Sequence, residues 1–146
     1  MNNKQVLVGI GIAIVDSELS DYDPNILLIQ RGKNLDGKGL YGLPGGHMEF
    51  GETWQECATR ELKEETNLDC TEFKQLGWVN YTTETGIQYV TLFVKGINWG
   101  GWLRNMEPEK HTVVKWVSLS KLQTMKIFVP LKKFLELPEN YRKIVR

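Results

Sequence analysis

Apolar residues occur along this chain in short runs that are separated by polar or glycine-rich segments. Runs of this length, rich in valine, isoleucine and leucine, are typical of buried strands. They predict strands at residues 5–15, 26–31, 72–83, 87–97 and 113–117. The turn Glu84-Thr85-Gly86 between the third and fourth runs predicts that these two strands form a hairpin.

One segment without glycine or proline predicts a helix over residues 53–67. Thr53 is a suitable N-cap, because Glu56 three residues later completes a capping-box pattern. Apolar residues at four-residue spacing give this helix a stripe that we expect to pack on a sheet. The stripe consists of Trp54, Ala58 and Leu62.

The remaining segments are predicted loops and a second helix. Clusters of glycine, proline and polar residues predict loops at 17–25, 32–42 and 98–112. A C-terminal helix is predicted from Pro130 to Leu137, since proline is favoured in a first helical turn, and a short helical turn is predicted at Ser118 or Ser120. The irregular order of strands and helices predicts α/β layers rather than a regular βαβ winding.

Composition narrows the class of protein. The 146 residues, 41% apolar and 25% charged, are ordinary for a globular chain, and we expect one domain over 1–146. Basic and acidic residues number 18 each, so bulk binding to nucleic acid is not expected. No apolar run approaches the roughly 20 residues that span a bilayer, and no signal-peptide pattern is present. Two cysteines are too few for a disulfide framework, so a cytoplasmic protein is expected.

The charges are unevenly distributed along the chain. Residues 49–65 contain six glutamates against two basic residues, whereas residues 126–146 contain six basic residues against two glutamates. An acidic cluster of this kind is either a cation site or a solvated helix face. Charge alone leaves both interpretations open.

The order of the acidic residues favours a cation site. On a helix, Glu61, Glu64 and Glu65 lie within an arc of about 100°, where like charges repel one another. Hard carboxylate ligands favour Mg²⁺, with Mn²⁺ as the alternative, and Mg²⁺ commonly shares its coordination with substrate phosphates. The preceding turn Pro44-Gly45-Gly46 can aim a carbonyl at a metal or N–H groups at a phosphate. The expected ligand is therefore a phosphate ester or anhydride.

These residues form a longer motif. Gly46, followed after five residues by Glu52 and after seven more by RELKEETNL at 60–68, resembles the Nudix box. The motif covers residues 46–68, and its one departure is Asn67, where the box has glycine. Asn67 ends the predicted helix, at a position where asparagine also tolerates the left-handed backbone. The resemblance implies a Nudix fold, an α/β/α sandwich around a mixed β-sheet.

The resemblance extends beyond the box. The segments LPGGHMEFGETWQECATRE, at 43–61, and NMEPEK, at 105–110, are similar to the MutT-like nucleoside triphosphate diphosphatases, including those of oxidised and thiopurine nucleotides. This branch implies Mg²⁺-dependent hydrolysis of a normal or oxidised nucleoside triphosphate to a monophosphate and pyrophosphate. The same box also serves nucleotide sugars, dinucleotides and capped RNA. A non-catalytic nucleotide sensor is less favoured, because the box carboxylates are all present.

The resemblance also implies roles for individual residues. It implies that Glu61, Glu64 and Glu65, with the carbonyl of Gly45, bind the divalent metal. Glu61 is the first choice for the base that activates water, and Glu64 is the second. Arg60 is interpreted as an ion-pair partner of Glu52 that orients the loop against the helix, a solvated charge being the alternative.

The substrate-binding residues have weaker signals. His47 is either a phosphate contact or an ordinary hydrogen-bonding residue, and Glu107 or Glu109 is a candidate for a further carboxylate beside the metal. A flat apolar pocket is expected for the base, and its candidate residues are Phe128, Leu131, Tyr41 and either Gly9 or Gly11. The set of predicted substrate-binding residues is Gly46, His47, Glu107, Lys110, Phe128 and Leu131. Homodimer formation is left open.

Overall fold

The structure, a computed structural model, describes residues 4–17 and 22–146. Within these residues the chain forms eight strands, three α-helices and a 3-10 turn at Leu119–Thr124. The strands are β1 (Val6–Ala13), β2 (Val15–Asp16), β3 (Asn25–Arg31), β4 (Tyr41–Gly42), β5 (Gly45–His47), β6 (Glu72–Thr82), β7 (Gln88–Ile97) and β8 (His111–Ser118). The helices are α1 (Trp54–Thr66), α2 (Val129–Leu135) and α3 (Pro138–Val145).

The strands form two sheets. One is mixed, in the order β5-β1-β7-β6, with β1 parallel to β7 and the other two pairs antiparallel. The other is antiparallel: β2 and β4 pair with successive parts of β3, and β8 pairs with β3 along most of its length. Only Ile14 separates β1 from β2, so the chain passes directly from one sheet to the other. The predicted mixed sheet is confirmed, and the second sheet adds to it.

Two hydrophobic cores lie on opposite sides of the strands, because alternate residues of a strand point to opposite faces. The core beneath α1 contains Ile10, Ile12, Ile14, Leu27, Cys57, Ala58, Leu62 and Val94. The core beneath α2 and α3 contains Ala13, Ile26, Leu28, Phe93, Leu131, Phe134 and Ile144. This arrangement is the predicted α/β/α layering, and the apolar stripe of α1 packs on the strands as expected. No helix among the described residues is both long and apolar enough to cross a bilayer.

Several predicted boundaries change in the structure. The predicted strand 5–15 is divided between β1 and β2, because the chain passes from one sheet to the other at Ile14. The predicted loop 32–42 ends in β4, because Tyr41 and Gly42 pair with β3. The predicted loop 98–112 ends two residues early, because β8 already begins at His111. α3 was not predicted; its sequence is largely polar, and its buried residues Asn140 and Ile144 pack only in the folded chain. Residues 18–21 of the predicted loop 17–25 lie outside the described residues.

Candidate active site

The helix that bears the acidic residues is fixed at both ends. At its N-terminus the Thr53 hydroxyl accepts a hydrogen bond from the Glu56 N–H (3.1 Å), and the Glu56 carboxylate accepts one from the Thr53 N–H (3.3 Å). This is the predicted capping box. At its C-terminus Asn67 adopts the left-handed conformation (φ 66°, ψ 3°), as predicted for the one departure from the motif. The positions of the glutamates on α1 are thereby set relative to the sheet.

Arg60 organises the outer part of the site. Its Nε and Nη2 atoms each donate a hydrogen bond of 2.8 Å to a different carboxylate oxygen of Glu52, which confirms the predicted ion pair. The guanidinium lowers the pKa of Glu52 to about 2. The Nη1 atom of Arg60 also contacts Glu61 Oε1 at 2.8 Å and Glu64 Oε2 at 3.2 Å. One cation thus compensates part of the repulsion along the acidic face.

Glu65 occupies the inner part of the site, and its side chain is buried. Its Oε1 accepts a hydrogen bond from the Gly45 N–H (3.0 Å), and its Oε2 lies 3.3 Å from His111 Nε2. Burial raises the pKa of Glu65 well above its ordinary value, and the neighbouring Glu61 carboxylate raises it further. Two carboxylates therefore converge where water offers little solvation.

The segment Pro44-Gly45-Gly46, which leads into β5, permits this convergence. A Cβ atom on Gly46 would lie 2.5 Å from the carboxyl group of Glu61, so a larger residue would displace that carboxylate. The neighbouring Pro44 carbonyl accepts a hydrogen bond from the Ile12 N–H (2.8 Å), which ties this segment to β1. The predicted turn is wrong at Gly45 and Gly46, because these residues begin β5 and pair with β1. Their lack of side chains lets β5 lie against the acidic face of α1.

The donor set in this region fits a divalent cation. Ligand atoms of Glu65, Glu107 and His111 lie within 4.8 Å of one another. The Nδ1 atom of His111 is buried without a hydrogen-bond partner among the described residues, and burial lowers the pKa of His111, which favours the neutral imidazole that binds metals. Lys110 Nζ lies 3.1 Å from Glu107 Oε2 and provides the local counter-charge.

This group overlaps the predicted metal ligands without coinciding with them. Glu65 belongs to both sets, and the Glu61 carboxylate is its close neighbour. Glu64 is half-exposed and bound to Arg60. His111 was missed because it was placed in a loop; in the structure it begins β8, where it pairs with Arg31 of β3.

A cavity of about 170 Å³ lies beside Glu65 and His111. Four of the predicted substrate-binding residues line it: Gly46, His47, Phe128 and Leu131. The candidates Gly9 and Gly11 line it as well, whereas Tyr41, Glu107 and Lys110 do not. Glu107 and Lys110 lie next to the cavity instead: Glu107 is beside Glu65 and His111, and Lys110 is beside Glu107. Several other lining residues carry no signal in the sequence; they include Arg31, Asp36, Tyr81, Thr83 and Tyr89.

His47 is held by neighbours on both its side chain and main chain. Its Nε2 atom lies 2.8 Å from the hydroxyl of Tyr89, and the two rings are 5.1 Å apart. Its main-chain carbonyl accepts a hydrogen bond from Arg60 Nη2 (3.0 Å). His47 therefore connects the wall of the cavity to Arg60 and the carboxylates that Arg60 binds.

Comparison with known proteins agrees with this geometry. The NUDIX domain family model matches residues 7–137, and the chain therefore belongs to that family. It is 30% identical to a MutT NUDIX hydrolase from Burkholderia pseudomallei, with a TM-score of 0.70 over 80% of this chain and 85% of the other. A MutT protein from Methanosarcina mazei is 20% identical, with a TM-score of 0.77 over 99% of this chain and 96% of the other, and shows the same fold.

A curated relative matches the chain over a shorter segment. An ADP-ribose pyrophosphatase from Methanocaldococcus jannaschii is 48% identical over 56 residues, which is 38% of this chain and 32% of the relative. The chain thus spans about a third of the length of this curated relative. Family membership confirms the predicted Nudix fold and the hydrolase class to which the chain belongs.

Proposed function

We propose that this domain hydrolyses a nucleoside triphosphate, normal or oxidised, to a nucleoside monophosphate and pyrophosphate with Mg²⁺ or Mn²⁺ as its metal. The main support is the position of the buried Glu65 carboxylate, which lies between Glu61 and His111 at the wall of the cavity. Converging carboxylates suit a divalent cation, and a partly apolar cavity beside them suits the remainder of a nucleotide.

The carboxylates and His111 would hold the metal. The proposed ligands are Glu61, Glu64, Glu65, Glu107, His111 and the carbonyl of Gly45. When bound, such an ion lowers the pKa of water and offsets charge on phosphate groups. Arg60 and Glu52 position the acids: their paired hydrogen bonds fix the loop before α1 relative to the helix.

Among the candidate bases, Glu61 is favoured over Glu64. The Glu61 carboxyl group packs against Gly46, which lines the cavity, and it is largely shielded from solvent. Glu64 is half-exposed, and its carboxylate is bound to Arg60. A base must reach the attacking water in a confined site, and this requirement favours the shielded carboxylate.

A second candidate is cleavage of a diphosphate-linked nucleotide such as ADP-ribose. It is supported by the name of the M. jannaschii relative, which matches 56 residues, 38% of this chain and 32% of the relative. The carboxylates would perform the same anhydride chemistry in both cases, so the two candidates differ in the leaving group alone.

Product analysis distinguishes these functions. The protein would be incubated with Mg²⁺ and normal or oxidised nucleoside triphosphates, ADP-ribose, a nucleotide sugar or capped RNA, and the products separated by anion exchange. We expect monophosphate and pyrophosphate from triphosphates. Turnover of only a diphosphate-linked compound would replace the proposed substrate class, and binding without turnover would favour a sensor.

The Glu65→Gln variant tests the metal site. We expect it to lower Mg²⁺-dependent turnover at least about 100-fold, because the carboxylate charge is lost from the buried site. Without nucleotide, Mn²⁺ should raise the melting temperature of the wild type and have little effect on the variant. The exposed Glu139→Gln on α3 is the matched control. Equal Mn²⁺ stabilisation of all three proteins would contradict a metal site at Glu65.

A further inference from the structure

A second group of polar side chains lines the cavity outside the Nudix box. Tyr81, on β6, donates a hydrogen bond of 2.7 Å to Oδ2 of Asp36, in the loop between β3 and β4. Burial raises the pKa of Tyr81 above its ordinary value, and the Asp36 carboxylate raises it further, so the phenol keeps its proton. Because that single proton is donated to Asp36, the Tyr81 oxygen faces any other group as an acceptor. Tyr81 and Asp36 thus present two neighbouring acceptors to the cavity.

The surrounding residues hold this acceptor pair in place. Arg31 Nε donates a hydrogen bond to the main-chain carbonyl of Asp36, and its guanidinium lies 4.0 Å from the centre of the Phe128 ring. Gly37 has a φ of 70°, and a Cβ there would lie 2.5 Å from Phe128. The Tyr81 ring packs edge-on against Phe128, with centroids 5.6 Å apart. A recognition group that is fixed before binding loses little entropy when the ligand arrives.

The size and lining of the cavity suit a nucleobase. Its volume of about 170 Å³ is below the roughly 300–1,000 Å³ typical of pockets for whole drug-sized ligands, so it accepts one part of a nucleotide. Aromatic rings of Phe93, Tyr89 and Phe128 line it. Flipped or free bases are recognised by stacking on such rings and by hydrogen bonds to the Watson–Crick edge.

Among the common bases, only guanine places two N–H donors side by side on that edge, at N1 and at the 2-amino group. Adenine and cytosine place a ring-nitrogen acceptor beside their amino group, and its lone pair would face an acceptor of the protein. Uracil and thymine have one N–H between two carbonyls. Oxidation of guanine at C8 leaves its donor edge unchanged.

We propose that Asp36 and Tyr81 select guanine, normal or oxidised, by accepting hydrogen bonds from its adjacent N1–H and 2-amino donors. This inference rests on the proposed function and deepens it, because it names the base of the triphosphate. Arg31 and Gly37 are positioning residues in this scheme, since they hold the Asp36 loop against Phe128.

The test compares guanosine triphosphate with inosine triphosphate, which lacks only the 2-amino group. The wild type should prefer guanosine about 10- to 100-fold in kcat/KM, the effect of one hydrogen bond to a charged group. Asp36→Asn replaces an acceptor oxygen with a donor and should reduce this ratio about 10-fold or more. Tyr81→Phe keeps the ring packing and should reduce it roughly 2- to 10-fold.

Asp69→Asn is the matched control, because Asp69 pairs with Lys63 outside the cavity. It should leave the guanosine-to-inosine ratio unchanged. Binding of guanosine and inosine monophosphates, measured by calorimetry, provides a readout that does not require turnover. The same preference, and the same loss in the Asp36 and Tyr81 variants, is expected there.

The outcomes separate this inference from the proposed function. If triphosphates are cleaved but the wild type shows no guanosine preference, or the variants keep it, the acceptor pair is wrong and the hydrolase proposal stands. If no triphosphate is cleaved but guanosine monophosphate binds selectively and this selectivity is lost in Asp36→Asn, the acceptor pair stands and the triphosphatase proposal is wrong. The absence of both turnover and selective binding would overturn both proposals.

Discussion

At the residue scale, the Arg60 guanidinium reduces the electrostatic repulsion among the glutamates of α1 and the loop before it. Arg60 forms ion pairs with four carboxylates, those of Glu49, Glu52, Glu61 and Glu64. Its two hydrogen bonds to Glu52 have the paired geometry that arginine favours. Glu65 lies beyond its reach and is instead bound by Gly45 and His111. The outer acids are therefore compensated by the protein itself, whereas the inner acid is the one that a bound cation would stabilise.

The Glu52–Arg60 pair predicts a specific dependence of stability on pH. The pKa of Glu52 is lowered from 4.5 to about 2 in the folded protein, chiefly by hydrogen bonds from Arg60. Because the folded pKa is depressed, the stabilisation is fully present above about pH 4.5 and is lost as the pH falls towards 2. In urea unfolding, the wild type should be more stable than Glu52→Gln at pH 6, and this difference should shrink between pH 4.5 and pH 2.

The exposed Glu136→Gln, at the C-cap of α2, is the control for this series. Its difference from the wild type should be small and should change little over the same pH range, since Glu136 has no ion pair in the part of the chain that the structure describes. A Glu52→Gln difference that stays constant from pH 6 to pH 2 would contradict the role assigned to the pair.

At the scale of single elements, α1 owes its limits to side-chain and backbone caps rather than to its apolar stripe. The capping box defines its start, and the left-handed Asn67 defines its end. The Asn67 side chain also donates a hydrogen bond of 3.0 Å to the Trp102 carbonyl, which ties the helix end to the loop before β8. The one departure from the Nudix box is therefore a helix terminator with an added contact.

Substitutions at Asn67 test this role. Asn67→Ala should lower the free energy of unfolding by about 1–2 kcal/mol, because a Cβ without a compensating polar group is strained in the left-handed region. Asn67→Gly removes the same hydrogen bond but relieves the backbone, so it should lie within about 0.5 kcal/mol of the wild type. Denaturant unfolding of both variants provides the measurement. Equal destabilisation by alanine and glycine would assign the effect to the Trp102 contact alone.

At the scale of the whole molecule, the two cores share their strands. Along β1, Ile12 belongs to the core beneath α1, while Ala13 belongs to the core beneath α2 and α3. Along β3, Leu27 and Leu28 are divided in the same way. Loss of packing on one face therefore disturbs strands that the other face needs, which favours a single cooperative unit.

This sharing predicts one unfolding transition. Ile12→Ala should lower the free energy of unfolding by about 2–5 kcal/mol and Phe134→Ala by about 3–5 kcal/mol, since both side chains are fully buried. In each variant, tryptophan fluorescence and far-ultraviolet circular dichroism should report the same midpoint. Separate transitions for the two probes would show that the layers unfold independently and would contradict the single domain predicted over 1–146.

Much of the site was predictable because it depends on local geometry. The Nudix box, the cap at Thr53, the turn at Asn67 and the pairing of Arg60 with Glu52 follow from residues within one helix and the loop before it. Helical periodicity relates such residues without knowledge of the rest of the fold. The roles of Glu61, Glu64 and Glu65 as metal ligands and catalytic groups, and formation of a homodimer, stay predictions.

Residues from distant segments required the folded chain. His111 reaches Glu65 only because β8 pairs with β3, and Asp36 meets Tyr81 across 45 residues. The extra strands β4 and β5 form because neighbouring strands supply hydrogen-bond partners that no local propensity encodes. The sequence by itself determined the acidic helix, its family and its strand-rich layers. Tertiary structure decided which distant side chains complete the cavity, because those contacts depend on sheet pairing rather than on spacing along the chain.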